Sequence, residues 1–283
     1  MDDCGTLMSY ADQTDINTAN QSFWDELCGS SAARAWGITD KSIASLRRYD
    51  ENFLRYYPYL DRHIPWAHLR GKRVLEVGLG YGTVSQKLAE EGALFTGLDI
   101  AANPVAMVNH RLRQSGLPGE AIQGNILSPP FEDGAFDAIV AIGCLHHTGN
   151  MGRAIESCRR LLAPDGRLIG MVYYAYSYRR LWNEPIRTIR HYLQELRGET
   201  RTSRDGKTFS YDHARDGALA PSTEFISVRS LRSLCAGFVK FSARTENASQ
   251  ERPFAICTRD QLLSSPVPRL CGLDLYWTCV KPN

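Results

Sequence analysis

A glycine-rich turn between a predicted strand and a predicted helix is the feature that most constrains the fold of this chain. Residues 74–77 are typical of a short buried strand, and the pattern from Thr83 onward is typical of a helix. Gly78, Gly80 and Gly82 fill the turn between them, where the absent Cβ permits positive φ and lets a ligand lie against the main chain. The turn therefore predicts a ligand site between a strand and its helix.

Two carboxylates flank this turn and indicate the charge of its ligand. Glu76 lies two residues before the first glycine, where it repels a pyrophosphate but suits a ligand with ammonium and sulfonium groups. Thr83 stands where the dinucleotide fingerprint G-x-G-x-x-G requires glycine, so the spacing is G-x-G-x-G instead. Asp99 ends a second predicted strand, at the distance from Gly78 where a carboxylate can accept hydrogen bonds from ribose hydroxyls. The sequence predicts a cationic, nucleotide-like ligand.

The rest of the chain alternates predicted strands and helices. Such alternation requires a parallel sheet with right-handed crossovers. The predicted strands are 74–77, 94–98, 120–123, 136–142, 167–174, 238–244 and 273–280, and the predicted helices among them are 83–91, 104–114, 150–162 and 227–236. Two amphipathic helices, 17–35 and 41–60, are predicted before this core. A further amphipathic helix after the fifth strand is predicted from the apolar stripe Trp182, Ile186, Ile189, Leu193 and Leu196.

Four stretches of residues 71–176 form a recognisable set. They are 76–82 (EVGLGYG), 97–99 (GLD), 124–131 with Phe136-Asp137, and 161–166 (LLAPDG). Together they resemble the class I S-adenosylmethionine-dependent methyltransferases, nearest to the family of the ubiquinone and menaquinone biosynthesis methyltransferases. The resemblance implies an α/β, Rossmann-like, seven-stranded and mostly parallel sheet with helices on both faces. It also implies an N-terminal arm and helical lid (1–70), a cofactor-binding core (71–176), an insertion that caps the acceptor (177–224) and the C-terminal part of the sheet (225–283).

S-adenosylmethionine is the cofactor that this resemblance implies, bound just after the strands of the sheet. The backbone amide of Ile126 is expected to meet an adenine ring nitrogen. The side-chain oxygen of Asn125 is expected to accept a hydrogen bond from the adenine amine, although the family more often has aspartate there. The expected cofactor-binding residues are Glu76, Gly78, Gly80, Gly82, Asp99, Ile100, Asn125, Ile126 and Gly143.

The residues after the fourth and fifth strands are the candidates for the acceptor site. His146 or His147 could act as a general base, and His146 is favoured because it lies nearer to the strand; capping of the next helix and contact with the cofactor is the alternative. The predicted substrate-binding residues are Cys144, Tyr174, Tyr176, Arg179 and, from the lid, Trp24. Packing beneath the insertion is the alternative for the two tyrosines.

Composition bounds the location and the partners of the chain. None of its 283 residues belongs to a run of about eighteen apolar residues, and the acidic N-terminus is unlike a secretory signal, so a cytoplasmic protein is expected. The net charge of +2 gives no electrostatic argument for nucleic acid. The eight cysteines include no C-x-x-C pair, so no metal site is expected.

These observations predict an enzyme that transfers a methyl group to oxygen, nitrogen or carbon on a small-molecule acceptor. Such an enzyme mainly aligns the acceptor for in-line displacement and excludes water. The arginines of helix 179–197 leave two alternatives open: an RNA or other macromolecular acceptor, and a lipid or quinone-like acceptor at an anionic membrane. A cofactor-binding regulator without turnover is the non-enzyme alternative. No oligomeric state is predicted.

Overall fold

A seven-stranded sheet organises the structure, a computed structural model that describes residues 10–26, 29–199, 202–204 and 211–283. Its strands are β1 (Arg73–Val77), β2 (Leu94–Asp99), β3 (Glu120–Gln123), β4 (Phe136–Ile142), β5 (Leu162–Tyr173), β8 (Val239–Glu246) and β9 (Asp274–Val280), while β6 (Ser203–Arg204) and β7 (Glu224–Phe225) form a separate ribbon. The order is β3-β2-β1-β4-β5-β9-β8, and β9 runs antiparallel to both of its neighbours. The predicted seven-stranded, mostly parallel α/β fold is confirmed.

Both faces of the sheet are covered, which explains why its central strands are apolar along their length. Successive residues of β1 point to opposite faces, so Leu75 joins one core with Ile139, whereas Val74 joins the other core with Val140. All four side chains are fully buried. The carboxyl ends of β1 to β4 are therefore held at one rigid edge.

Twelve helices accompany the sheet in the part of the chain that the structure describes. They are α1 (Tyr10–Trp24), α2 (Ser30–Ala35), α3 (Ile43–Tyr56), α4 (Leu60–His63), α5 (Thr83–Glu90), α6 (Ala102–Ser115), α7 (Met151–Leu161), α8 (Tyr178–Asn183), α9 (Pro185–Leu196), α10 (Val228–Leu234), α11 (Arg259–Ser264) and α12 (Val267–Cys271). Short 3₁₀ turns occupy 66–69 and 145–147. Over the described ranges, no helix has both the length and the apolar character needed to cross a membrane.

The predicted helix 17–35 is wrong, because two helices, α1 and α2, occupy this region. Gly29 precedes α2 with φ of +96°, and a Cβ at that position would lie 2.3 Å from the hydroxyl of Tyr49. A side chain at this position would clash with α3, so glycine is needed where the chain passes α3 and enters α2. Residues 1–9 of the predicted N-terminal arm lie outside the described residues.

The single helix predicted after the fifth strand is also wrong, although its amphipathic pattern is present. It is divided into α8 and α9, since Pro185 opens α9 and holds Glu184 out of helical geometry. Its apolar stripe is exposed rather than buried, with Ile186 76% and Leu196 59% exposed. Thr188, His191 and Glu195 form the buried face of α9 instead.

Candidate functional site

A cavity of 210 Å³ lies at the carboxyl ends of the central strands. The strand order reverses between β1 and β4, and open α/β sheets bind their ligands at such a switch point. The cavity is lined by Glu76, Gly78, Gly80, Gly82, Asp99, Ile100, Asn125, Ile126 and Gly143. The structure thus brings the whole predicted cofactor set together around one cavity.

Gly78 permits a close approach between the ends of β1 and β4. Its φ is +79°, and a Cβ there would lie 2.4 Å from the Cβ of Cys144. Cys144 lines the same cavity, and its thiol donates a hydrogen bond to the carbonyl of Val77 at 2.8 Å. Burial raises the pKa of this thiol well above its usual range, so Cys144 stays protonated and acts as a packed wall of the cavity.

Thr83, which breaks the dinucleotide spacing, ties the glycine turn to an N-terminal helix. Its hydroxyl donates to Asp50 of α3 at 2.6 Å. Asp50 also accepts two hydrogen bonds from the buried guanidinium of Arg111 on α6, at 2.8 and 3.1 Å. Tyr81, at the tip of the turn, stacks on Tyr49 of α3 with ring centroids 4.1 Å apart. The turn is therefore held between α3 and α6.

Both predicted carboxylates are buried in the wall of the cavity. Asp99 accepts hydrogen bonds from the backbone amides of Leu79 and Ala101 at 2.8 and 2.9 Å, and Glu76 accepts one from Ser85. Burial outweighs these hydrogen bonds and raises the pKa of Asp99 to about 6 and that of Glu76 to about 8. A cationic ligand would favour the ionised form of both groups. Two buried carboxylates beside a glycine turn fit the ammonium, sulfonium and ribose groups of S-adenosylmethionine.

Asn125 has a structural contact in addition to its position in the cavity wall. Its side-chain oxygen accepts a hydrogen bond from the amide of Leu127 at 2.9 Å. An amide oxygen has a second lone pair, so the predicted hydrogen bond from an adenine amine is compatible with this contact. Ile126 beside it is buried and contributes an apolar wall to the cavity.

Helix α1 covers the cavity with a row of polar side chains that the sequence analysis missed. Asn17, Asn20 and Trp24 line the cavity, and Asn20 donates to the carbonyl of His147 at 2.7 Å. Gln13 donates to the carbonyl of Thr148 at 2.9 Å. Only Trp24 was singled out from the sequence. The signal that could have identified the others is the spacing 13, 17, 20 and 24, which places these residues on one face of a helix.

The two adjacent histidines occupy different environments. His147 lines the cavity, its ring lies 4.7 Å from that of Trp24, and its two nitrogens contact the carbonyl of Ser222 at 2.8 Å and the carboxylate of Asp212 at 3.3 Å. His146 does not line this cavity, and neither of its ring nitrogens has a hydrogen-bond partner among the described residues. Burial lowers the pKa of His146 well below its usual range. Its position does not favour the predicted role as base.

Asp212 links His147 to the insertion and was not identified from the sequence. It accepts a hydrogen bond from the hydroxyl of Tyr173 at 2.9 Å. Burial raises the pKa of this carboxyl, but hydrogen bonds from His147 and Tyr173 outweigh burial, so the pKa is lowered. Asp212 lies far along the chain in a polar segment without periodicity, so no sequence signal places it beside His147.

A second cavity, of 510 Å³, adjoins the first and has aromatic walls. The two share Trp24, Gly29, Tyr49 and Phe53. The further aromatic lining comes from Phe23, Trp36, Tyr56, Tyr57 and Tyr211, and Asp212 and His213 add polar groups. The His147–Asp212 pair therefore spans the junction, with His147 in the wall of the first cavity and Asp212 in the wall of the second.

Three predicted substrate-binding residues lie outside both cavities. Tyr176 donates its hydroxyl to Glu195 of α9 at 2.7 Å, and Tyr174 lines a separate surface depression beside β8. Arg179 forms an ion pair with Glu251 at 2.7 Å and covers the ring of Tyr211 at 4.2 Å. These residues pack beneath and around the insertion, so the structure favours the alternative interpretation for the tyrosines.

Comparison with known proteins finds a family match in the same region of the chain. Residues 75–170 match the family model described as a methyltransferase domain. The match begins in β1 and ends in β5, so it includes the glycine turn, Asp99 and both histidines.

Curated relatives match part of the chain. The ubiquinone biosynthesis O-methyltransferase of Cronobacter sakazakii is 33% identical over 137 residues, which are 48% of this chain and 54% of that protein. The enzyme of the same description from Chromobacterium violaceum is 30% identical over 163 residues, which are 56% of this chain and 62% of that protein. The chain thus spans less than two thirds of the length of these relatives.

Solved structures share the fold over most of the chain. An S-adenosylmethionine-dependent methyltransferase from Methanosarcina mazei superposes with a TM-score of 0.53 at 17% identity, over 80% of this chain and 98% of that one. An S-adenosylmethionine-dependent methyltransferase from Mesorhizobium loti has a TM-score of 0.51 at 13% identity, over 80% of this chain and 97% of that one. At these identities the likeness concerns the fold.

Proposed function

We propose that this chain methylates a hydroxyl group on a small aromatic metabolite. It has the class I S-adenosylmethionine-dependent methyltransferase fold, and its residues 75–170 match a methyltransferase domain. The observation that carries this proposal is the His147–Asp212 pair at the junction of the cofactor cavity and an aromatic cavity. The relatives described as O-methyltransferases support oxygen as the acceptor atom.

The cofactor is held by residues at the strand ends. Asp99 accepts hydrogen bonds from the ribose hydroxyls, Glu76 provides negative charge beside the glycine turn, and Asn125 and Ile126 contact the adenine. Bound S-adenosylmethionine supplies an electrophilic methyl group on a positively charged sulfur. Asn17 and Asn20 of α1 cover this site and exclude water.

The proton of the acceptor hydroxyl passes to His147. Nδ1 of His147 donates to the carbonyl of Ser222, so the neutral ring has its lone pair on Nε2. Asp212 faces Nε2 at 3.3 Å and lines the aromatic cavity, so its carboxylate accepts the proton of the acceptor hydroxyl and passes it to Nε2, which leaves an imidazolium paired with the carboxylate. Tyr173 holds Asp212 in place.

The acceptor occupies the aromatic cavity. Its walls combine Trp36, Tyr57 and Tyr211 with the shared residue Trp24, and flat aromatic walls suit a planar ring. In this proposal residues 1–70 provide the lid and residues 177–224 the acceptor cap. Cytoplasmic location and a role in small-molecule biosynthesis stay predictions.

An RNA acceptor is less favoured by the surroundings of the arginines that suggested it. Arg179 is paired with Glu251, and Arg180 is buried and paired with Glu184. Neither guanidinium presents a free charge for backbone phosphates. Arg190 of α9 and Arg197 after it are exposed, but they lie beside the exposed apolar side chains Ile189 and Leu193 rather than in a basic patch.

Two measurements test the proposal in order. Isothermal titration with S-adenosylhomocysteine is expected to show binding to the wild-type chain and none to Asp99→Ala; no binding by the wild type would contradict the cofactor assignment. Methyl transfer from S-adenosylmethionine is then measured on matched phenols and anilines. Turnover of phenols supports oxygen transfer, turnover of anilines alone contradicts it, and binding without turnover of either class favours the non-enzyme alternative.

A further inference from the structure

Helix α9 has its polar face buried and its apolar face exposed, the reverse of an ordinary surface helix. Thr188, His191 and Glu195 are each about 5% exposed or less. On the outer side, the exposed fractions are 76% for Ile186, 53% for Ile189, 50% for Tyr192, 48% for Leu193 and 59% for Leu196. Leu181 and Trp182 of α8, at 43% and 53%, extend this surface.

Polar contacts fix this orientation. Glu195 accepts hydrogen bonds from Tyr176, Ser227 and Ser230. Thr188 donates to the carbonyl of Arg180 at 3.2 Å, and Arg229 donates to the carbonyl of Glu195 at 2.9 Å. Turning the apolar residues inward would break these bonds and bury unpaired polar groups. The exposed apolar surface is therefore a stable feature of the folded chain.

The charges beside this surface are positive. Arg190 of α9 and Arg197, which follows its last residue, are exposed, and the side chain of Arg187 is 41% exposed. Within residues 178–197 the two carboxylates are turned inward: Glu184 pairs with Arg180 and Arg187, and Glu195 is buried. The outer side of α9 thus combines large apolar side chains with arginines and presents no exposed carboxylate.

We propose that this surface, formed by Leu181, Trp182, Ile186, Ile189, Tyr192, Leu193 and Leu196, docks on a lipid bilayer that contains anionic phospholipids. Apolar side chains enter the acyl boundary and the arginines contact lipid phosphates. Helix α9 has 12 residues and is ~18 Å long, shorter than a bilayer core, so it lies along the surface rather than across it. A second copy of the chain is a poorer occupant, because its arginines would face those of the first.

Helix α8 connects the docking surface with the aromatic cavity, because Leu181 and Trp182 belong to that surface. Arg179, at the start of α8, covers the ring of Tyr211, and Tyr211 lines that cavity. Membrane docking would therefore hold the acceptor side of the chain near the bilayer. The docking proposal depends on the α9 surface alone and stands whether or not methyl transfer to a phenol is correct.

Vesicle flotation tests the proposal with the chain of 283 residues. Wild type is expected to float with phosphatidylcholine vesicles that contain phosphatidylglycerol, and more weakly with phosphatidylcholine alone. Ile189→Ser with Leu193→Ser is expected to lower partitioning into vesicles roughly tenfold or more, since two apolar side chains that would enter the bilayer are lost. Arg190→Gln with Arg197→Gln is expected to remove the preference for anionic vesicles. Leu94→Ser is the matched control, because Leu94 is 57% exposed at the start of β2, and it should float like wild type.

Several results would overturn the proposal. The proposal is wrong if wild type does not float, or if the double variants float like wild type while they retain wild-type circular dichroism and S-adenosylhomocysteine affinity. Sedimentation velocity could show a dimer that Ile189→Ser with Leu193→Ser dissociates, without vesicle binding, which would assign the surface to a second copy. RNA binding that requires the two arginines but neither Ile189 nor Leu193 would assign it to nucleic acid.

Discussion

His146 and His147 are neighbours in the chain, yet the atoms around their rings give them different chemical capacities. The ring of His146 lies between those of His147 and Tyr173, with centroids 4.1 Å from each. Burial lowers its pKa and keeps it neutral, and its nitrogens have no hydrogen-bond partner among the described residues. His147 contacts the backbone carbonyl of Ser222 and the carboxylate of Asp212. We infer that His146 supports the ring of His147 and that His147 handles the proton.

Substitution of the two histidines should separate these roles. His147→Gln is expected to lower kcat roughly 10²–10⁴-fold, because the proton acceptor is lost, while changing S-adenosylhomocysteine affinity little. His146→Gln is expected to lower the melting temperature and to change kcat little, because it alters a fully buried packing position. Steady-state kinetics and thermal unfolding measure both effects. A larger loss of kcat in His146→Gln would reverse the assignment.

The buried carboxylates should make cofactor binding depend on pH. The pKa of Asp99 is about 6 and that of Glu76 about 8, both raised by burial, and the cofactor favours their ionised forms. Binding therefore releases protons, so affinity rises with pH: by about tenfold per unit between pH 6 and 8, and more steeply below pH 6.

Titration calorimetry of S-adenosylhomocysteine in two buffers of different ionisation enthalpy counts the released protons directly. Asp99→Asn is expected to weaken binding and to remove the steeper dependence below pH 6, while leaving the slope due to Glu76. An affinity that is independent of pH from 5 to 8 would show that the two carboxylates do not change protonation on binding.

At the scale of elements, the contact between α3, the glycine turn and α6 includes one buried ion pair. The guanidinium of Arg111 is 2% exposed and is bound by Asp50. Asp50→Asn is expected to lower the free energy of unfolding by about 3–5 kcal/mol, because an uncompensated charge stays buried. Asp137→Asn is the control, since its pair with Arg73 is 32–47% exposed and should contribute less than about 1 kcal/mol. Urea denaturation of the two variants compares them, and equal losses would contradict the proposed role of Asp50.

Local pattern was sufficient for the elements that build the cofactor cavity, and insufficient for those that cover it. The strand at 74–77, the glycine turn and the helix from Thr83 follow from spacing alone, because each is fixed by neighbours within a few residues. The face that α9 buries is fixed by Ser227 and Ser230, which bind Glu195 from a distant part of the chain. An amphipathic pattern predicts that the apolar face is inside, and distant polar partners reversed this.

The same distinction explains which site residues were found. Glu76 and Asp99 stand at strand ends that the sequence itself marks. Asp212 reaches His147 only because the insertion folds back over β5, and Asn20 reaches it only because α1 lies across the cavity. Contacts between segments more than 60 residues apart have no signature in a single sequence.

For the molecule as a whole, a buried carboxyl in the cofactor site should make stability fall as pH rises. Glu76 has a pKa of about 8 in the fold and an ordinary value of 4.5, so its contribution is fully present below pH 4.5 and is lost as pH rises through 8. Relative to Glu76→Gln, which cannot ionise, wild type is expected to lose roughly 3–5 kcal/mol of unfolding free energy over this range. Saturating S-adenosylhomocysteine should reduce the loss, because the ligand stabilises the ionised form. Urea denaturation of both proteins at pH 5, 6.5 and 8 measures the difference, and parallel curves would show that Glu76 is ionised throughout.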